Sequence, residues 1–229
     1  MSSYSRTGLD SRSLAGVAIF GALSVVLTLI SQALGLNFPV VPYLQFDLGE
    51  VAILLAFFIF GPVPALIAAF IEFATLLALG VNAAFFGPEL KLIAVLSSLL
   101  GVWIGVMAVR RMRQPTIKKA VGLGSVLGMA IRAAAMTLPN YLLIVFLYTI
   151  SGILGYVAGS FKLIGITLTD SNVLVLVLIM TAVFNALQFA FVSIVSYGIV
   201  SLPQVQSTRA AGRKPWIATY LQKKDSRVT

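Results

Sequence analysis

Asp47 and Glu50 stand three residues apart in Tyr43-Leu44-Gln45-Phe46-Asp47-Leu48-Gly49-Glu50, with the amide of Gln45 close by. Two carboxylates at that spacing are the chain's one candidate for acid–base chemistry, and the reaction class they would serve is an intramembrane enzyme acting on lipid. No nucleophile-and-base motif accompanies them. The chain has no histidine and no cysteine, which removes zinc-protease motifs, histidine triads, haem ligation, thiolate metal sites and disulfides. There is no Walker A sequence, so ATP is not hydrolysed here by the P-loop route. The other role for the segment is binding. Between two long apolar runs, uncompensated carboxylates belong at a membrane mouth or in a protein-lined pocket, so the segment reads as the lip of a site.

Further polar groups lie inside apolar stretches. Asn140 and Tyr141 follow Pro139, whose missing donor and ring bend a helix one turn earlier and open room for a ligand. Asn185 and Gln188, spaced i, i+3, project from one helix face and offer donors and acceptors to a planar heterocycle. The same amides serve equally to hydrogen-bond neighbouring helices, worth about 0.6 kcal/mol on average in bilayers. Glu89 and Lys91 begin a helix, either as an interfacial pair with a snorkelling lysine or as ligand contacts. Glu72 and Arg132 lie deeper and would pair with each other across helices as a structural bond.

The elements that position these residues follow from composition. Of 229 residues, 59% are apolar and 10% charged, against about 45–50% and about 25% in soluble domains. The chain is therefore an all-α integral membrane protein. A helix needs roughly 17–25 mostly apolar residues to span. That criterion predicts a six-transmembrane-helix bundle with spans at 14–34, 48–61, 63–81, 89–109, 120–149 and 173–200. The chain turns at Phe60-Gly61-Pro62-Val63-Pro64, because the prolines withhold donors and disfavour helix in the residue before them. One kinked helix through 48–81 is the competing arrangement. Residues 1–13 form a cytoplasmic N-terminal segment, 14–200 the membrane domain and 201–229 a basic cytoplasmic tail. The polar start and long first apolar run lack the pattern of a cleaved signal peptide.

Charge sets the orientation. Of the 16 basic residues, 13 fall before the first span, between the fourth and fifth, or after the sixth. The positive-inside rule makes that side, with both termini, cytoplasmic. Topology and attraction to anionic lipid account for the net charge of +9, so no nucleic-acid partner is needed. The opposite loops, at 35–47, 82–88 and 150–172, carry only Lys162 as a base and can fold over a cavity as a lid. In the first span Ala18 and Ala22 share a face as a small-xxx-small pattern, suited to close approach of a neighbouring helix of this chain or of a separate subunit.

Several stretches, in order and covering nearly all of 14–200, resemble the substrate-capture S components of energy-coupling-factor (ECF) vitamin transporters, most closely the riboflavin-binding branch. They are Pro42 through Glu50, Phe60-Gly61-Pro62, Gly87-Pro88-Glu89-Leu90, Met136 through Tyr141 with Leu147-Tyr148, and Phe184-Asn185-Ala186-Leu187-Gln188. The resemblance implies a non-enzymatic, multi-pass subunit of the cell membrane, without a cofactor of its own. It implies a vitamin site in the outer half, with Tyr43, Leu44, Gln45, Asp47, Glu89, Asn140, Tyr141, Asn185 and Gln188 as candidate ligand contacts. It also implies that Ala18 and Ala22 dock onto the transmembrane coupling subunit, and that two ATPase subunits supply energy. Two positions depart from the riboflavin branch. That branch usually has lysine where Gln188 stands and a Lys-Asn pair where Glu72-Phe73 stands, so another vitamin such as thiamine, biotin or a precursor remains an alternative ligand.

Overall fold

The computed structural model describes residues 10–39, 41, 44–81, 86–151, 159, 161–162, 165, 170–206 and 214–222. Tyr43, most of the 82–88 and 150–172 loops, and parts of both terminal segments lie outside the described residues. The described chain is helical and contains no named strand, only an isolated antiparallel bridge between Asn37 and Gln45. Its helices are α1 (Ser11–Ala33), α2 (Gly49–Phe60), α3 (Pro62–Ala78), α4 (Gly87–Arg110), α5 (Ile117–Ser151), α6 (Asp170–Val200), α7 (Pro203–Gln206) and α8 (Trp216–Gln222). By length and composition α1, α4, α5 and α6 are each able to cross a bilayer, whereas α2 and α3 are shorter apolar helices of 12 and 17 residues.

Local chemistry sets the boundaries. Asp10 caps α1 by accepting from the Ser13 N–H at 2.9 Å, and Gly35 at φ 62° takes the left-handed position just past its end. Gly61, at φ 105° and followed by Pro62 at the start of α3, breaks the apolar run after Phe60. The chain folds back there: a Cβ placed on Gly49, at the start of α2, would lie 2.7 Å from Glu72 Oε1, far along α3. The two helices therefore form a hairpin and not one kinked rod.

Packing sets α1, α3, α4, α5 and α6 in a partial ring around α2, which contacts α1, α3, α4 and α6 and bridges α6 to α1. Every residue of α2 from Gly49 to Phe58 is buried, which explains why this helix is apolar on all faces. Glycines set the closest approach. Gly101 and Gly105 of α4 lie against Gly128 and Gly124 of α5, where an added Cβ at Gly101 would meet Gly128 backbone at 2.5 Å. On α1 the inward face carries Gly16 against Phe60 and Gly21 against Ile71, and Ala18 and Ala22 are exposed. The alanine face is thus turned away from the described residues of this chain.

At the end of the bundle that bears Arg110 and the α2–α3 turn, α8 from the basic tail packs into the main core through Ile217 and Leu221. Trp216 lies over Gly61 and stacks on both Trp103 and Tyr220, with ring centroids 5.7 and 4.6 Å away, and those two rings also touch each other at 5.6 Å. Arg110 sits 4.1 Å above the Tyr220 ring, a cation–π contact that ties the tail to α4.

Candidate functional site

The other end of the bundle is hollow. At 1.5 Å per residue the 12 residues of α2 reach about 18 Å, short of the roughly 30 Å hydrocarbon core, so α2 does not fill the ring around it. A cavity of about 350 Å³ lies at its N-terminal end, of a size used for small ligands. Its wall combines Thr28 and Ser31 of α1, Leu76 of α3, Lys91 and Ala94 of α4, Arg132, Met136 and Asn140 of α5, and Phe184 and Asn185 of α6. Glu50 also lines it, and the segment Leu44-Gln45-Phe46-Asp47 forms its rim.

Two ion-pair clusters organise this wall. The Arg132 guanidinium grips Glu50 through both terminal nitrogens, with Nη2 donating to Oε1 at 2.9 Å, and its Nε donates to Asn185 Oδ1 at 2.9 Å. Both charged residues are buried, and such a fork-to-fork pair offsets part of the desolvation that burial costs. In the second cluster Lys91 Nζ contacts Asp47 Oδ2 and donates to Glu72 Oε1 at 2.7 Å. The Thr28 hydroxyl lies 2.9 Å from Asp47 Oδ1 and 3.0 Å from Glu72 Oε1.

These pairings correct two expectations. Glu72 and Arg132 do not bond to each other: α3 presents Glu72 to Lys91, and α2 presents Glu50 to Arg132. Nor do Glu89 and Lys91 form an interfacial pair, because the lysine turns inward to Asp47 and Glu72. Asp47 and Glu50, three residues apart in sequence, are drawn to different cations and do not act as one acid–base pair.

Backbone bonds fix the rim. Phe38 N donates to Leu44 O at 2.7 Å and Phe46 N to Leu36 O at 2.8 Å, doubling the segment back on itself. Leu48 N donates to Ser31 Oγ at 2.9 Å, and Gln45 Nε2 to Ser31 O at 3.1 Å. Phe46 packs against Phe184 with ring centroids 5.1 Å apart, so an aromatic surface sits between rim and wall. Gln188, fully buried, spans the gap from α6: its Nε2 donates to Asp47 O at 2.7 Å, and its Oε1 accepts from Asp47 N at 3.3 Å. Both ends of that carboxamide are engaged by the loop.

Of the candidate contacts, Leu44, Gln45, Asp47, Asn140 and Asn185 converge on the cavity. Gln188 stands behind Asp47, Glu89 lies beside the lining residues Pro88 and Leu90, and Tyr141 is exposed; none of the three lines the cavity, and Tyr43 lies outside the described residues. Asn140 holds an unusual position. Its Nδ2 donates to Met136 O at 2.7 Å, which fixes the amide's orientation because a carbonyl only accepts. Among the described residues its Oδ1 is buried without a hydrogen-bond partner, an unsatisfied acceptor in the cavity wall. Sequence reasoning gave Lys91 a partner other than Asp47 and Glu72 and gave Arg132 one other than Glu50, and it passed over Thr28 and Ser31. The usable signal was the cost of a lone intramembrane cation, which obliges each base to find a carboxylate.

Comparison with known proteins agrees with this architecture. Residues 12–200 match the family described as ECF transporter, substrate-specific component. A solved structure described as the S component of a bacterial ECF transporter superposes with a TM-score of 0.60 at 23% identity, covering 82% of this chain and 92% of that one. No curated protein matches the sequence.

Proposed function

Because the chain belongs to the ECF transporter substrate-specific component family, a family of substrate-binding transport subunits and not of enzymes, we propose that its cavity captures riboflavin or a related planar vitamin. Capture takes place at the outer face of the cell membrane. A transmembrane coupling subunit and two ATPase subunits then drive uptake. The observation that carries this reading is the cavity itself: about 350 Å³, rimmed by a loop and placed at the end of the bundle away from Arg110 and its neighbouring bases. By the positive-inside rule the basic end is cytoplasmic, so the cavity opens outward, with α1 to α6 as six spans. The unpartnered Asn140 acceptor and the Phe46–Phe184 surface suit a heteroaromatic ring that carries an N–H donor.

One observation favours another vitamin over riboflavin. Gln188 occupies the position where the riboflavin branch has a lysine, and its amide is spent on the Asp47 backbone. The absorption spectrum of detergent-purified protein, followed by flavin fluorescence quenching, separates the two. A bound yellow chromophore or saturable quenching supports riboflavin, and the absence of both excludes it.

The exposed alanine face of α1 is the proposed docking surface for the coupling subunit. Ala18→Leu or Ala22→Leu removes close approach without touching this chain's own packing. Ligand binding by the isolated subunit should survive while uptake by the assembled complex fails. Uptake unchanged in both variants would exclude this surface.

A further inference from the structure

Among the described residues, the cavity lining holds no uncommitted positive charge. Lys91 is shared between Asp47 and Glu72, and Arg132 is gripped by Glu50 and Asn185. The α2 N-terminus, which also faces the cavity, donates Gly49 N to Asp47 Oδ1 at 2.7 Å and carries Glu50 in its first turn. The α4 N-terminus, whose Gly87 and Pro88 line the wall, carries Glu89 in its first turn. Two cations and two helix N-termini therefore face four carboxylates. Among the described residues, the buried lining atom without a partner is Asn140 Oδ1, which is itself an acceptor.

An anionic ligand is acceptor-rich and would meet, among the described lining residues, the neutral amides of Gln32 and Asn37 but no uncommitted charge to receive it. To enter it must either break a carboxylate's ion pair or remain desolvated and unpaired, and both are costly in a low-dielectric site. A neutral or cationic ligand that donates a hydrogen bond has the complementary chemistry. We infer that this site selects uncharged or cationic, donor-bearing ligands and rejects the anionic forms of the same molecules. The inference rests on the vitamin-capture reading and narrows it: carboxylate-bearing and phosphorylated vitamins fall outside the substrate class, and neutral or cationic ones fall within it.

The test uses the full chain in detergent and three pairs whose members differ in charge: riboflavin with riboflavin 5′-phosphate, thiamine with thiamine monophosphate, and biotin amide with biotin. For whichever pair binds, the less anionic member should bind tighter by at least about tenfold, or about 1.4 kcal/mol. Glu50→Gln frees Arg132, and Asp47→Asn on the rim partly frees Lys91, so each variant should narrow that preference. Two variants are used because loss of Glu50 strands a buried guanidinium and can unfold the protein, whereas Asp47 lies on the loop. Equal or tighter binding of the anionic member, or a preference unchanged in a folded variant, would overturn the inference and leave vitamin capture standing. No binding by any of the six would overturn the vitamin reading and this inference with it.

Discussion

Gln188 offers a measurement in which geometry and family resemblance point in opposite directions. On resemblance alone, Gln188→Lys restores the residue usual in the riboflavin branch and should preserve or improve riboflavin affinity. In the structure the side chain clamps the rim, donating to Asp47 O at 2.7 Å and accepting from Asp47 N at 3.3 Å. Each bond contributes about 0.5–1.5 kcal/mol net, the longer one near the low end, so the clamp is worth about 2 kcal/mol. If closing the rim is coupled to capture, Gln188→Met, which removes both bonds at similar volume, should weaken binding about 30-fold at 1.4 kcal/mol per decade. Gln188→Lys keeps the donor, loses the acceptor and adds an ammonium with no carboxylate of its own, so it should weaken binding about tenfold or more. Fluorescence quenching reads the affinity if riboflavin binds; calorimetry does so for another vitamin. Hydrogen exchange over residues 44–48 reads the rim directly and should be faster in both variants. Unchanged exchange with improved affinity in Gln188→Lys would refute the clamp and return Gln188 to the ligand.

Gly101→Val forces a side chain onto the Gly128 backbone, where even a Cβ would come within 2.5 Å, and overpacking of this kind costs about 1–3 kcal/mol. The melting temperature in detergent should fall. Gly122→Ala, with open space around it, should leave it equal or slightly higher, and equal melting of all three proteins would count against glycine-mediated packing. The absence of cysteine allows a clean topology test, in which Leu34→Cys should label from outside with an impermeant thiol reagent and Gln114→Cys only from inside. The reverse pattern would invert the orientation and place the cavity on the cytoplasmic side.

The helices themselves were legible. Expected span boundaries fall within three residues of the observed ones, because hydropathy sums over a window and the breaks at Gly35 and Gly61-Pro62 are local backbone effects. The turn at Gly61-Pro62 and the shortness of the helix before it were also legible, as was the membrane character of the chain. The glycine contact between α4 and α5 was open to reading as well: Gly101 and Gly105, and Gly124 and Gly128, are each spaced four apart like Ala18 and Ala22. Spacing alone shows that two small residues share a face, and not which neighbour that face meets. On α1 the glycine face turned inward and the alanine face outward.

The site divides along the same line. Sequence indicated that Asp47, Asn140 and Asn185 belong to polar positions that a bilayer does not tolerate unpaired, and these three share a cavity. It did not indicate that Glu50 would hold Arg132, that Glu72 would hold Lys91, or that Gln188 would hold the rim. Burial makes pairing obligatory, so the need for partners is written in the residue types. The choice of partner depends on the rotation and axial offset of one helix against another. Those follow from the whole set of packing contacts, including a central helix too short to fill its ring. Composition and periodicity therefore determined the class of protein and the list of polar residues in need of company, and only the tertiary arrangement decided which of them meet and where they leave a space.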